Sequence, residues 1–442
     1  MNLSAWPRLV PLLALALAFA LGGCGKKKDD NTIVVGHFAS MTGAEATFGI
    51  STDNAIKLAI EERNAKGGVK GKKIVLKTID DASKSSEAST AVTRLINDHG
   101  AVAILGEVAS GRSLAGGPVA QNAKVPMISP SSTNPSVTDI GDYIFRVCFL
   151  DDFQGWVGAK FARENLKADR AAILYDQAQS YSSGLADYFE KAFKEMGGTI
   201  VVRQPYNGAN PEISSQLQAI KNADAQVIYM PGYYSAAGTI IRKAHEAGIT
   251  TPFLGGDGWD SEDLAKNAGA AINGNYFSNH YAPEEDRPEV KNFVERYKKA
   301  YGAVPDGLAA LGYDAALVLF DAMDRAKSLS GPDLRDAIAQ TKNFTGVTGT
   351  FSIDAKRNAQ KSAVVIVYKD GKQAMAARIE KTGQTDQPPK AGEPAKTEEP
   401  AKTGEPAKAG EPAKAGEPAK AGEPAKAGEP AKVGEPAKTE KK

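Results

Sequence analysis

The stretch RAAILYDQAQSYSSGLADYFEKAFKEMGGTIVV, residues 170–202, decides the fold. Arg170 to Tyr175 is a short apolar run that reads as a buried strand, Tyr181 to Met196 has the length of a helix, and Thr199 to Val202 is a second strand. Strands separated by helices of about 10–15 residues are βαβ units, whose strands lie parallel in one sheet. The rhythm continues through a helix from Pro211 to Asn222, a strand at Gln226 to Met230, a helix from Ala236 to Ala247 and a strand at Pro252 to Leu254. An earlier series has the same form. Strands are expected at Ile33–Phe38, Ile74–Ile79, Ala101–Leu105 and Val125–Ser129. Helices fall between them at Phe48–Asn64, Ser83–Asp98 and after Ser110, the first with Ile56, Leu58, Ala59 and Ile60 at helical spacing and Lys66-Gly67-Gly68 as its stop. Two such series predict an α/β protein of two Rossmann-like, doubly wound lobes.

The two ends of the 442-residue chain are of another kind. Arg8 precedes an apolar run from Leu9 to Leu21, followed by Gly22-Gly23-Cys24 and then Lys26-Lys27-Lys28. That run is short of the roughly 20 residues a permanent membrane helix needs. A charged start, a short apolar core and small residues before the cut describe a secretory signal peptide over residues 1–23. The cysteine placed directly after Leu21-Gly22-Gly23 resembles a bacterial lipobox, so Cys24 is the expected lipidation site and 24–31 a tether; an ordinary signal peptide with an incidental cysteine is the alternative. At the other end Glu-Pro-Ala-Lys recurs eight times from Glu393. Proline in every repeat blocks regular helix and little apolar surface is on offer, so residues 384–442 are expected to be a disordered, charge-balanced spacer.

Composition excludes several classes. Lys and Arg total 54 against 53 Asp and Glu, and no long basic face appears, so a nucleic-acid partner is not indicated. His37, His99, His245 and His280 are scattered without metal-ligand spacing. Gly255-Gly-Asp-Gly258 is too short and too late for a dinucleotide fingerprint, and Gly67 to Lys72 lacks the spacing of a phosphate loop. No catalytic residues, no metal and no cofactor are expected, and the protein is read as a binder, not an enzyme. Cys148, the second of two cysteines, reads as a small buried apolar residue.

In open α/β sheets ligands bind beyond the carboxyl ends of the strands. The segments there, Ala39 to Phe48, Asp80 to Ser83, Gly106 to Ser113, Ser129 to Pro135, Asp176 to Tyr181, Pro231 to Ser235 and Gly255 to Asp260, are rich in Gly, Ser, Thr, Tyr and Asp. That is the chemistry of hydrogen-bonded capture. Ser110 is either a ligand donor or a helix cap. Thr133-Asn134-Pro135 is either a ligand loop or plain turn chemistry. Asp257 is either a counter-charge or a cap for a helix starting near Asp260, and Tyr181 and Tyr233 either line the site or simply pack.

Four of these segments, Ile128-Ser-Pro-Ser-Ser-Thr-Asn-Pro135, Asp176 through Tyr181 to Gly184, Pro231-Gly-Tyr-Tyr234 and Gly255-Gly-Asp-Gly258, resemble in order the branched-chain amino acid (leucine/isoleucine/valine) binding proteins of ABC transporters, which are type I periplasmic binding proteins. The likeness runs from about Thr32 to Ile379. It implies two lobes joined by a hinge of three crossings, the first holding 32–148 and 279–350, the second 149–278 and 351–380. It also implies roles. Ser110 and Thr133 would bond the ligand carboxylate, the Ser132 carbonyl would accept from the ammonium, and Asp257 would supply the counter-charge. Tyr181 and Tyr233 would close from the second lobe, and Phe48 would pack on the side chain.

The implied partners are an amino-acid-like small molecule and the permease and ATPase subunits of an importer, with the membrane reached through the lipid anchor alone and the protein a monomer outside the cytoplasm, in the periplasm or on the cell surface. The chain departs from the family pattern in places. Asp257 stands where Glu is common and Phe48 where Tyr or Trp is common. The cysteines some members carry near Ser83 and Ala109 are absent. Arg112 has no expected counterpart, and were it to face the cleft the ligand would be more anionic. A same-fold binder of an amide, urea or aromatic acid, or a sensor acting through a membrane receptor, is the alternative.

Overall fold

The computed structural model describes residues 31–208 and 211–380. The signal peptide, Cys24 and the Glu-Pro-Ala-Lys tail lie outside the described residues. Among the described residues no helix is long and apolar enough to cross a membrane.

The first sheet contains β1 (Thr32–Ala39), β2 (Lys73–Asp80), β3 (Ala103–Leu105), β4 (Met127–Ser129) and β5 (Ile144–Arg146), in the order β2-β1-β3-β4-β5. Every pairing in it is parallel. The connections between the strands carry the helices α1 (Ala46–Ala65), α2 (Ser85–Asn97), α3 (Ser110–Asn122) and the single turn α4 (Ser136–Asp139). The inner strands β3 and β4 are buried at every position because helices cover both faces of such a sheet, whereas the edge strand β2 is half-exposed. The chain then enters α5 (Asp151–Glu164) and the second βαβ series.

That series contains β6 (Arg170–Asp176), α6 (Ser180–Glu195), β7 (Thr199–Tyr206), α7 (Ser214–Lys221), β8 (Val227–Tyr229), α8 (Tyr234–Glu246), β9 (Phe253–Gly255), α9 (Glu262–Ala268) and β10 (Tyr276–Asn279). Parallel pairings join β6 to β10. The chain returns to the first lobe with α10 (Pro288–Tyr301), α11 (Gly307–Arg325), α12 (Gly331–Ala339) and the hairpin β11 (Phe344–Gly346) and β12 (Gly349–Phe351). Helix α11 is buried along nearly its whole length, packing on α1 and on β3 and β4, which is why its sequence is apolar almost all round. A third crossing leads to β13 (Ala363–Lys369) and β14 (Lys372–Ile379), which complete the second sheet in the order β14-β13-β10-β9-β8-β6-β7. Both join antiparallel.

The third crossing begins later than the 351 expected from sequence. Phe351, Ile353 and Ala359 pack into the first lobe's core, and pairing with the second sheet starts at Ala363. Near the hinge Lys361 Nζ donates to the Val147 carbonyl at 3.0 Å, which ties the third crossing to the first. Burial pulls the Lys361 ammonium down to about 8.

Candidate functional site

A narrow cavity lies between the lobes, lined by Phe48, Val108, Ser110, Ser131, Thr133, Tyr181, Tyr233, Asp257, Gly258 and Leu308. Most of these residues follow the carboxyl end of a parallel strand. Val108 and Ser110 follow β3, Ser131 and Thr133 follow β4, Tyr181 follows β6, Tyr233 follows β8 and Asp257 follows β9. The first lobe's Phe48, Val108 and Leu308 pack into the second lobe's core, so the two lobes meet over the cavity. Direct hydrogen bonds span them: Ser235 Oγ to Glu45 at 3.2 Å, Thr47 N to Tyr234 Oη at 3.3 Å, and Asn134 Nδ2 to the Ser180 carbonyl at 3.0 Å.

The acidic end of the site is the Asp257 carboxylate. Its Oδ1 accepts from Gln154 Nε2 at 2.7 Å and from Tyr181 Oη at 2.8 Å, and its Oδ2 lies 3.0 Å from His280 Nε2. Burial lowers the His280 pKa and raises that of the Tyr181 phenol well above its ordinary value. The ring is therefore neutral and donates from Nε2, and the phenol keeps its proton and donates too. A carboxylate offers about four lone-pair sites, so three donors leave one for a ligand. The Tyr181 and Tyr233 rings stack at 5.3 Å, and Phe48 meets Tyr233 edge-on at 5.5 Å. Phe48, Val108 and Leu308 make an apolar wall. In the same lining, Ser131 Oγ and Tyr233 Oη are buried without a hydrogen-bond partner among the described residues, a costly arrangement that a polar ligand would relieve.

Six of the seven residues expected from sequence, Phe48, Ser110, Thr133, Tyr181, Tyr233 and Asp257, line this one cavity. Ser132 does not, and its expected role is corrected. Its carbonyl already accepts from Arg146 Nη1 at 2.5 Å and Cys148 Sγ at 3.4 Å, and its hydroxyl from within the lobe bonds the Glu107 and Val108 carbonyls. The neighbouring Ser131 faces the cavity in its place. Arg146 is fully buried and also takes the carbonyls of Asn134 and Pro135, so it holds the whole loop from inside. Arg112 is not among the residues that line the cavity. It is engaged by Glu107 at 3.1 Å and Glu45 at 3.2 Å, with Asp81 at 3.9 Å. The capping alternatives also resolve. Ala109 precedes α3 as its N-cap, leaving Ser110 Oγ to accept from Asn134 N at 3.2 Å. Ser261, not Asp257, caps α9.

Sequence reasoning missed Val108, Ser131, Gly258 and Leu308 in the wall, and Gln154 and His280 around Asp257. Leu308 carried no signal, because an apolar residue in an all-apolar helix marks no face. Cys148 is a free, fully buried thiol whose pKa burial pushes up to about 12, as its apolar neighbours suggested.

Comparison with known proteins bears directly on this geometry. Residues 32–374 match the model of a family described as periplasmic binding protein. A Leu/Ile/Val-binding protein homolog of Brucella abortus is 31% identical over 336 residues, covering 76% of this chain and 89% of that relative. A leucine binding protein of Thermotoga maritima superposes with a TM-score of 0.76 at 39% identity, covering 79% of this chain and 99% of its own. A branched-chain amino acid transporter substrate binding protein of Streptococcus pneumoniae, solved with isoleucine, gives 0.74 at 32% identity over 79% and 99%. With its two lobes, its cleft at the strand ends and this match across the globular region, the chain belongs to the periplasmic binding protein family.

Proposed function

We propose that the protein captures a branched-chain or other aliphatic amino acid between its lobes and delivers it to an ABC-type importer. One observation carries this reading: a single buried cavity sets the Asp257 carboxylate, with an acceptor site to spare, beside hydroxyl donors and an apolar wall. A free amino acid needs those three things together, because both of its charges must be paired when water is excluded. Asp257 takes the ammonium. The Ser110, Ser131 and Thr133 hydroxyls serve the carboxylate, and Phe48, Val108 and Leu308 receive the side chain. The names of the Brucella relative and of the two solved neighbours support the same ligand class.

Arg112 belongs to a group of three carboxylates and one guanidinium, which argues against an anionic side chain in the ligand. Lipidation at Cys24 would keep the binding protein at the membrane beside the permease, with residues 24–31 as its tether. Membrane fractionation of a Cys24→Ala variant tests that anchoring, and release of the protein is the expected result.

Titration calorimetry of the mature protein against aliphatic, polar and acidic amino acids, then amides and aromatic acids, tests the ligand class. Leucine, isoleucine or valine should bind, and Asp257→Ala should weaken them by about 2–5 kcal/mol, the loss expected when one partner of a buried charge pair is removed. Affinity unchanged by Asp257→Ala would exclude the ammonium role and favour a solute without an amine.

A further inference from the structure

Leu308 belongs to the first lobe by its helix and to the second by its packing, and the contact that holds it there comes from across the cleft. Asp260, at the end of the turn that carries Asp257, is 1% exposed. Its Oδ2 accepts from the backbone N–H of Gly307, the first residue of α11, at 2.6 Å. Asn279 Nδ2 donates to the same oxygen at 2.8 Å, and Gln373 Nε2 to Oδ1 at 3.1 Å. Three donors from β10, β14 and α11 thus fix one carboxyl group. The same helix end is held from its own lobe as well. Asp306 accepts from Ala309 N at 2.7 Å and from Ser51 Oγ on α1 at 2.6 Å.

Position 307 is crowded by side chains from across the cleft. A Cβ there would stand 2.3 Å from Asn279 Oδ1 and 3.0 Å from Asp260 Oδ2. Its backbone can therefore approach the carboxyl group directly, and Leu308, 1% exposed, follows at once in the cavity wall. Gly307 is the first residue of α11, so the helical backbone fixes Leu308 relative to the bonded N–H.

We infer that Asp260 is a positioning residue for ligand selection: by binding the Gly307 N–H it seats Leu308 against the ligand side chain when the lobes meet. The inference rests on the amino-acid reading above. Asp260 touches no ligand itself. It acts through Leu308, so its removal should penalise a ligand that reaches Leu308 and spare one that does not.

Calorimetry with leucine and with alanine as paired ligands tests this on the full mature chain. Leu308→Ala sets the reference, with an expected loss of about 10-fold or more for leucine, as for one to a few methylenes in an apolar pocket, and much less for alanine. Asp260→Ala should reproduce that ratio change and add little in the Leu308→Ala background, the signature of two residues acting as one. Gly307→Ala, which keeps the Asp260 carboxyl group but crowds Asn279 and the helix start, should shift the ratio in the same direction. It also serves as the second variant where Asp260→Ala does not fold. Equal weakening of both ligands, or a lowered melting temperature with an unchanged ratio, would show that Asp260 only supports the fold and would overturn the inference. Wild-type protein that binds no aliphatic amino acid refutes the underlying reading instead. The same cycle run with whichever solute of the panel binds, against its analogue shortened at the apolar end, then decides Asp260 separately.

Discussion

Asp81 is buried beside Glu107 and Arg112, and Ser40 Oγ lies 2.8 Å from both carboxyl groups. Burial, helped by the Glu107 charge and opposed by Arg112, raises the Asp81 carboxyl from 3.8 to about 7. The folded protein therefore holds this proton more tightly than the unfolded chain does. The stability it contributes is complete below about pH 4 and is lost as pH rises toward 7. Asp81→Asn, which can still accept from Ser40 and Ser83, should flatten the fall of melting temperature between those limits; a calorimetric profile parallel to wild type would refute it. Tyr233 makes a second case. Its hydroxyl is buried with no hydrogen-bond partner among the described residues. Tyr233→Phe should leave the ligand-free melting temperature nearly unchanged and weaken ligand binding by about 2–10-fold, the span of a neutral hydrogen bond worth about 0.5–1.5 kcal/mol. A lowered melting temperature at unchanged affinity would assign the hydroxyl to the fold instead.

At the scale of elements, close helix contacts carry the second lobe. Helix α5 lies against α6 with Gly155 at the contact, where a Cβ would stand 2.7 Å from the Phe189 backbone nitrogen and 2.8 Å from the Tyr188 carbonyl carbon. Backbone atoms cannot rotate away. Gly155→Ala should therefore destabilise by about 1–3 kcal/mol of overpacking, more than the roughly 1 kcal/mol that alanine gains as a helix former. Urea denaturation measures the difference, and a more stable variant would show that the helices separate freely. The β13–β14 hairpin turns through Asp370 and Gly371, both at positive φ, 50° and 71°. Asp-Gly between two strands is the favoured sequence for that turn, so this hairpin was open to a reading that looked only for βαβ units. The short strands β5 and β10 gave no such mark.

At the scale of the whole molecule, the proposed function makes ligand binding and lobe closure one equilibrium. The hydrogen bonds between Ser235 and Glu45, Thr47 and Tyr234, and Asp260 and Gly307 join the two lobes, and the proposed ligand would sit between them. A ligand that binds only this arrangement stabilises the fold by about 2.7 kcal/mol at one hundred times its dissociation constant. The melting temperature should therefore climb with the logarithm of leucine concentration, and small-angle scattering should show a smaller radius of gyration on saturation. A melting temperature that does not move with leucine would sink this expectation.

The sequence by itself determined the parallel strands of the two sheets and the segments in which a site is expected. Strands covered on both faces read as unbroken apolar runs, and the segments after them must hold whatever the cleft binds. Phe48, Ser110, Thr133, Tyr181, Tyr233 and Asp257 all belong to those segments, and the family resemblance supplied their expected roles. Tertiary structure alone decided which of two adjacent serines faces the cavity, because the choice belongs to the loop that Arg146 holds from within. It alone also turned Arg112 toward three carboxyl groups and brought Gln154, His280 and Leu308 to the cleft from distant segments. Contacts of that kind come from how two lobes meet, and no local pattern of residues encodes them.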